Sequence, residues 1–250
     1  MGRHEDILAL IQEYTFLKVE DACNRLGVSP ATVRRDFAEM ERLGLLKRVT
    51  GGAIGREKQN TGEPSDPNLP EKRRIAEKAV SLVSPGDTLF LDSGSTNTEI
   101  ARLLSGHRDI SVITNSITIA YLLDQSPNNI SVFICGGNIG NGSYPASIVG
   151  PAAEVMIAQF RANTFFMGAY SVHTEFGVTD PYVLASSIKQ KMIQSATRTI
   201  LVADHTKFGK INKSVVCSLD QVDRVITDDK VDGEVVKSLN ACGCTVDIAE

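Results

Sequence analysis

From Lys72 onward, short apolar runs of strand length alternate with stretches of helical periodicity, and this rhythm restricts the fold more than any other feature of the chain. The runs Thr88–Leu91, Ser111–Ile113, Ile130–Cys135, Thr164–Met167, Thr199–Ala203, Arg224–Ile226 and Thr245–Ile248 read as strands. Amphipathic helices are expected near residues 72–83, 97–104, 117–124, 151–160, 184–197 and 232–240. Helices interleaved with strands in this way predict an α/β domain, an open and mostly parallel sheet covered by helices.

The first five predicted strands each lead into small and polar residues: Asp92-Ser93-Gly94-Ser95-Thr96, then Thr114-Asn115-Ser116, Gly136-Gly137, Gly168-Ala169 and Asp204-His205-Thr206-Lys207. In an open parallel sheet these loops share one edge, where helix N-termini also meet and where ligands settle. The Asp92 loop runs directly into a helix, so free backbone N–H groups, nearby hydroxyls and the positive helix end favour a small anion, phosphate first among them. Lys207 adds a point charge. Each loop alone is ordinary connection chemistry; the repetition at successive strand ends is what argues for a ligand.

Upstream, Ile7, Leu8, Leu10, Ile11 and Tyr14 recur at helical spacing, and Val19, Ala22, Cys23 and Leu26 do so again after a break at residues 16–18. Gly27 suits a left-handed helix stop, Val28 plugs the turn, and Ser29-Pro30 supplies an N-cap hydroxyl followed by proline at the first helical position. The third helix then has an apolar face of Ala31, Val33, Phe37, Met40 and Leu43, with Thr32, Arg34, Arg35 and Glu39 on other faces. Residues 45–50 and Gly51-Gly52-Ala53-Ile54 fit a small hairpin, or wing. A helix, a glycine turn and a cationic helix in this order place a recognition helix in the DNA major groove, where arginine forks onto guanine edges or phosphates. The expected contacts with double-stranded DNA are Ser29, Ala31, Thr32, Arg34, Arg35, Lys47 and Arg48. The competing reading is a three-helix protein-interaction module with solvated arginines.

The charge distribution agrees with a localised contact. A formal net charge of −4 excludes a nonspecific polyanion binder. Residues 1–58 nevertheless hold ten Lys or Arg against nine Asp or Glu, leaving the rest of the chain acidic. Residues 56–70 contain almost nothing apolar and read as a connector, which sets the expected boundaries at 1–57 for the winged helix-turn-helix, 58–71 for the linker and 72–250 for the α/β domain. No stretch approaches the ~18 apolar residues of a membrane helix, and the first residues carry no leader pattern, so the expectation is a cytoplasmic protein without a membrane partner. The five cysteines make no disulfide framework, and Cys242-Gly-Cys244 has no further thiolate or imidazole close by in sequence; neither a metal nor a cofactor is expected.

The run Val-Ser-Pro-Ala-Thr-Val-Arg-Arg-Asp-Phe over residues 28–37, with Glu41, Gly44 and Gly51-Gly52-Ala53, resembles the DeoR family of bacterial transcriptional regulators. Thr50 departs from the family pattern, in which a histidine commonly precedes the two glycines. Asp92 to Thr96, Thr114-Asn115, Gly136-Gly137, Gly168-Ala169 and the Ala203 to Gly209 segment are similar to the effector-sensing domain of the same regulators. That domain is similar in fold to ribose-5-phosphate isomerase. The resemblance implies a repressor of a carbohydrate-catabolism operon, modulated by a phosphorylated sugar. In it Ser93, Gly94, Ser95, Thr96 and Lys207 would hold phosphate while Asp92, Asn115 and Asp204 meet sugar hydroxyls; Thr114, Gly136, Gly137 and Gly168 belong to the same edge. Lys72, in Glu-Lys-Arg-Arg-Ile-Ala, matches a further basic position. One winged helix offers few contacts, so a homo-oligomer reading repeated half-sites is expected.

The alternative is an isomerase-like enzyme with a DNA-binding appendage. Sugar isomerisation needs a carboxylate base beside the substrate carbonyl. In the isomerases acidic residues follow the glycine-alanine step, whereas Gly168-Ala169 continues here as Tyr170-Ser171-Val172-His173. Glu175, Asp180 and His173 are the nearest substitutes in sequence, and catalysis is not expected.

Overall fold

The computed structural model describes residues 3–14, 16–42, 45–49, 51–55, 66–139 and 147–250, in two compact units that divide between Asp66 and Pro67. The first runs α1 (Arg3–Tyr14), β1 (Phe16–Lys18), α2 (Val19–Leu26), α3 (Pro30–Arg42), β2 (Leu46–Val49) and β3 (Gly52–Gly55). The break between the first two helices is a strand: Phe16–Lys18 pairs antiparallel with Gly52–Ile54, giving the order β1-β3-β2. Three residues are too few to show a period of two, so this strand left no pattern in the sequence. Ile7, Leu17, Ala22, Val33, Phe37, Met40, Leu46 and Ala53 form the core.

The expected punctuation is present. Gly27 ends α2 at φ 67°, its N–H donating to the Cys23 carbonyl at 2.9 Å, and Ser29 Oγ accepts from the Thr32 N–H at 3.2 Å. One residue of the predicted apolar face is misplaced. Ala31 is exposed, because it lies about 200° around the helix from Val33, and Asp36 is buried beside Val33, Phe37 and Met40 instead. Leu43, Gly44, Thr50, the side chains of Ile11, Tyr14 and Lys47, and the connector over 56–65 lie outside the described residues.

The second unit begins with α4 (Leu69–Val80), followed by β4 (Thr88–Leu91), α5 (Ser95–Leu104), β5 (Ile110–Thr114), α6 (Ile117–Asp124) and β6 (Ile130–Ile134). A short antiparallel pair, β7 (Asn138–Ile139) and β8 (Ile148–Val149), precedes α7 (Pro151–Ala158) and β9 (Ala162–Gly168). Then come β10 (Ser171–His173), β11 (Gly177–Asp180), α8 (Val183–Ser195), β12 (Ala196–Val202), β13 (Ser214–Cys217), β14 (Arg224–Asp228), α9 (Gly233–Ala241) and β15 (Thr245–Ala249). Helix α4 starts three residues before the expected position, with Pro70 in its opening turn, so Glu71, assigned to the linker, is helical and buried.

The main sheet has seven strands in the order β15-β14-β12-β9-β4-β5-β6, all parallel. Its strands alternate sides with period two. Leu89, Leu91, Phe166, Ile200 and Val202 pack under α4, α5 and α6, while Phe90, Phe165, Met167, Leu201 and Val225 pack against α7, α8 and α9. The chain builds outward from β4 in two directions, through β5 and β6 on one side and through β9, β12, β14 and β15 on the other. The reversal falls between β4 and β9, where the loops after two adjacent strands part and leave a crevice. A second sheet, β10-β11-β13, is antiparallel and was not expected. Among the described residues no helix is long and apolar enough to cross a membrane.

Candidate functional site

A cavity of about 290 Å³ opens at this reversal point. Its wall is made by Ser93, Gly94, Ser95, Thr96 and Asn97 after β4, Ser147 before β8, Gly168, Ala169 and Tyr170 after β9, Lys189 on α8, and Lys207. Gly94 caps α5 at φ 150°, a conformation that side-chain-bearing residues rarely adopt, and so turns the chain from the strand into the helix. The first N–H groups of α5 have no partners within the helix and lie at this wall. Lys207 is placed by a 3-10 turn over His205–Lys207, which Asp204 caps by accepting from the Thr206 N–H at 3.0 Å. Lys207 Nζ lies 5.9 Å from the centre of the Tyr170 ring.

The residues expected to meet sugar hydroxyls sit behind this wall. Asp92 is 1% exposed, and its Oδ1 accepts from the Gly168 N–H at 2.8 Å and from the Asn97 amide. Burial outweighs its favourable contacts and pushes its carboxyl up to about 6. Asn97 also donates to the Phe166 carbonyl at 3.0 Å, tying the first turn of α5 to β9. Asn115 Oδ1 accepts from the Ser93 N–H at 3.2 Å and its Nδ2 donates to the Ile148 carbonyl at 3.1 Å, so it fixes the loop without lining the cavity. Thr114 is buried, its hydroxyl accepting from the Ser116 N–H at 3.0 Å. Asp204 is fully buried, with Lys72 Nζ 3.8 Å from Oδ2. Lys72 Nζ donates to Ser95 Oγ at 2.9 Å and thus supports the hydroxyl loop from behind. Gly136 and Gly137 are not on the wall; Gly137 packs against Ile148 and Val149.

The sequence reading missed Lys189. Its ammonium is 4% exposed, 3.0 Å from Asp180 Oδ2 and 3.5 Å from Asp92 Oδ2, so it neutralises two buried carboxylates at the cavity floor. A signal existed: Ala185, Ile188 and Met192 mark the buried face of α8, and Lys189 falls on that face. Glu175 is exposed in the turn between β10 and β11, and its N–H donates to His173 Nδ1 at 3.2 Å. Neither residue lies on the cavity wall.

In the first unit, Ser29, Ala31, Arg34 and Arg35 are exposed around the opening turns of α3, with Thr32 half-buried beside the cap. Arg34 and Arg48 flank a groove bounded by α2, α3 and the β2–β3 turn. Arg48 is also engaged within the unit: its Nε lies 2.8 Å from Glu41 Oε2, and its N–H donates to Glu41 Oε1 at 2.8 Å, pinning the wing to α3.

A winged helix-turn-helix with a cationic reading helix, followed on the same chain by a parallel α/β unit with a polar crevice, defines the class of two-unit DNA-binding regulators. The comparisons resolve that class into a family. Residues 3–59 match the DeoR-like helix-turn-helix domain and residues 67–229 match the DeoR C terminal sensor domain. The chain belongs to the DeoR family of transcriptional regulators. Over 249 residues it is 32% identical to the HTH-type transcriptional regulator GlpR of Haloferax volcanii, covering 98% of this chain and 96% of that protein. It is 31% identical to the HTH-type transcriptional repressor CsqR of Escherichia coli K12, covering 91% and 87% of the two chains. The Glycerol-3-phosphate regulon repressor of Haemophilus influenzae is 29% identical, with coverage of 93% and 91%. Among solved structures, ribose 5-phosphate isomerase A from Methanocaldococcus jannaschii aligns with a TM-score of 0.42 and 17% identity over 56% of this chain and 55% of that one.

Proposed function

We propose that this regulator represses a carbohydrate-catabolism operon and that a phosphorylated sugar or related metabolite, seated in the crevice between β4 and β9, modulates its hold on the operator. The observation that carries the reading is convergence: the open end of α5, the residues Ser93, Ser95 and Thr96 with their hydroxyls, and Lys207 line one cavity wall, while Lys189 balances the carboxylates at its floor. Donors and cations of this kind suit a phosphate. Two further groups suit the rest of a sugar. Asn97 Oδ1 and Ser147 Oγ are buried at the wall and make no hydrogen bond among the described residues, which leaves them for ligand hydroxyls. The Haemophilus influenzae relative has a phosphorylated polyol in its name, which is consistent with this chemistry.

The operator would meet Ser29, Ala31, Thr32, Arg34 and Arg35 on α3, with Lys47 and Arg48 of the wing on backbone phosphate. A cytoplasmic homo-oligomer would supply the repeated half-sites. Binding rather than turnover is favoured by the state of the carboxylates. A general base must be free to take a proton, yet Asp92 and Asp180 are both committed to Lys189. The test is a thermal-shift series with inorganic phosphate and individual sugar phosphates. A specific compound should stabilise the protein increasingly with concentration, as mass action requires, and leave the incubation unchanged. Failure of every phosphorylated compound would overturn the effector reading, and conversion of the compound would favour the enzyme.

A further inference from the structure

Asp36 is a buried charge that the DNA-facing surface does not use. Its side chain is 5% exposed on the face of α3 that carries Val33, Phe37 and Met40 into the core. A carboxylate withdrawn from water among such neighbours is costly unless it is paired and hydrogen-bonded. The pairing comes from the first turn of α1. Arg3 Nε donates to Asp36 Oδ2 at 2.6 Å and Arg3 Nη2 donates to Oδ1 at 2.9 Å, while His4 Nε2 lies 3.7 Å from Oδ1. A guanidinium fork on a carboxylate fixes direction as well as distance, which a single charge does not. These bonds hold the Asp36 carboxyl below its ordinary range, so it is ionised at neutral pH.

Arg34 and Arg35 immediately precede Asp36 and are exposed. Successive helical residues are about 100° apart, so whatever fixes Asp36 also fixes where the two arginines point. We propose that Arg3 is a positioning residue for DNA recognition: it acts through Asp36 to set the rotation of α3 about its own axis, and makes no contact with nucleic acid itself. The inference rests on α3 being the reading helix.

The test uses the full chain and a duplex that the wild-type protein selects from a randomised pool. Arg3→Ala should weaken binding by at least about tenfold and leave the slope of log affinity against log salt unchanged, because no phosphate contact is lost. Lys47→Ala, as a reference for a phosphate contact of the wing, should lower the magnitude of that slope by about one. Arg3→Lys should recover part of the affinity, since it restores the charge without the fork. Unchanged affinity in Arg3→Ala, or a slope reduced as in Lys47→Ala, would overturn the proposal. Amide hydrogen exchange of the free protein provides the second arm: in Arg3→Ala and Asp36→Asn the α3 amides should exchange faster than in wild type, and unaltered protection in both would also overturn it. This arm needs no DNA, so it tests the link between Arg3 and α3 even if no duplex is selected, which would be a failure of the DNA-reading assignment alone.

Discussion

Asp92→Asn tests how the cavity floor is held together. The wild-type carboxyl sits at about 6 against an ordinary value of 3.8, with burial as the leading cause. At 1.36 kcal/mol per unit, that gap makes the ionised form about 3 kcal/mol less favourable in the fold than in the unfolded chain. The folded protein therefore binds more protons than the unfolded one between these two values, and its stability falls as pH rises through that window before levelling off above it. Asn keeps an acceptor for the Gly168 N–H and leaves Lys189 paired with Asp180 at 3.0 Å, but it carries no titrating charge. The attraction between Asp92 and Lys189 acts only on the ionised carboxylate and is already contained in the value of about 6, so its loss in Asn adds no separate term. Urea unfolding of both should give a stability difference, variant minus wild type, that grows by about 2 kcal/mol from about pH 4 to about pH 7, the greater part of the whole change. Parallel profiles would refute the claim that the buried carboxylate is strained by its burial.

Arg34→Ala with Arg35→Ala should abolish operator binding in a gel-shift titration while leaving effector-induced thermal stabilisation intact; unaltered DNA affinity would refute the assignment of α3. Lys207→Ala should still bind DNA but no longer respond to the metabolite, and normal induction would rule out its role at the phosphate. Lys189→Ala leaves Asp92 and Asp180 buried without their shared cation, so chemical denaturation should show a loss of about 3–5 kcal/mol, with a loss below about 1 kcal/mol contradicting the pairing.

All seven strands of the parallel sheet were legible as short apolar runs between polar loops; the five inner ones are buried as a parallel sheet requires, while the edge strands β6 and β15 are only partly covered. The strands β10, β11 and β13 were not, since runs of three or four residues, two of them flanking the turn at Glu175 and Phe176 and the third at Ser214–Cys217, carry no measurable period. The polar loops share the edge at which the cavity opens, but the sequence does not give the direction of each side chain. Asp92 and Asp204 follow strands as expected, yet both turn inward, Asp92 toward Gly168 and Lys189 and Asp204 toward Lys72 and Thr206. Lys189 went unread because a lysine in a helix is ordinarily solvated, and only the sheet beneath α8 places two carboxylates within its reach. The pairing of Asp36 with Arg3 spans 33 positions and has no local trace in the sequence.

Under the proposed function, a ligand in the α/β crevice and a duplex on the winged helix influence each other's binding through the same chain. Fluorescence anisotropy of a labelled operator, titrated with and without the stabilising sugar phosphate, measures that coupling directly, and calorimetric titration of the sugar phosphate with and without DNA measures it from the other side. Both titrations should return the same factor, in the range of ~5- to 150-fold. Affinities for DNA that are identical with the crevice empty and saturated would show that the two sites are not coupled.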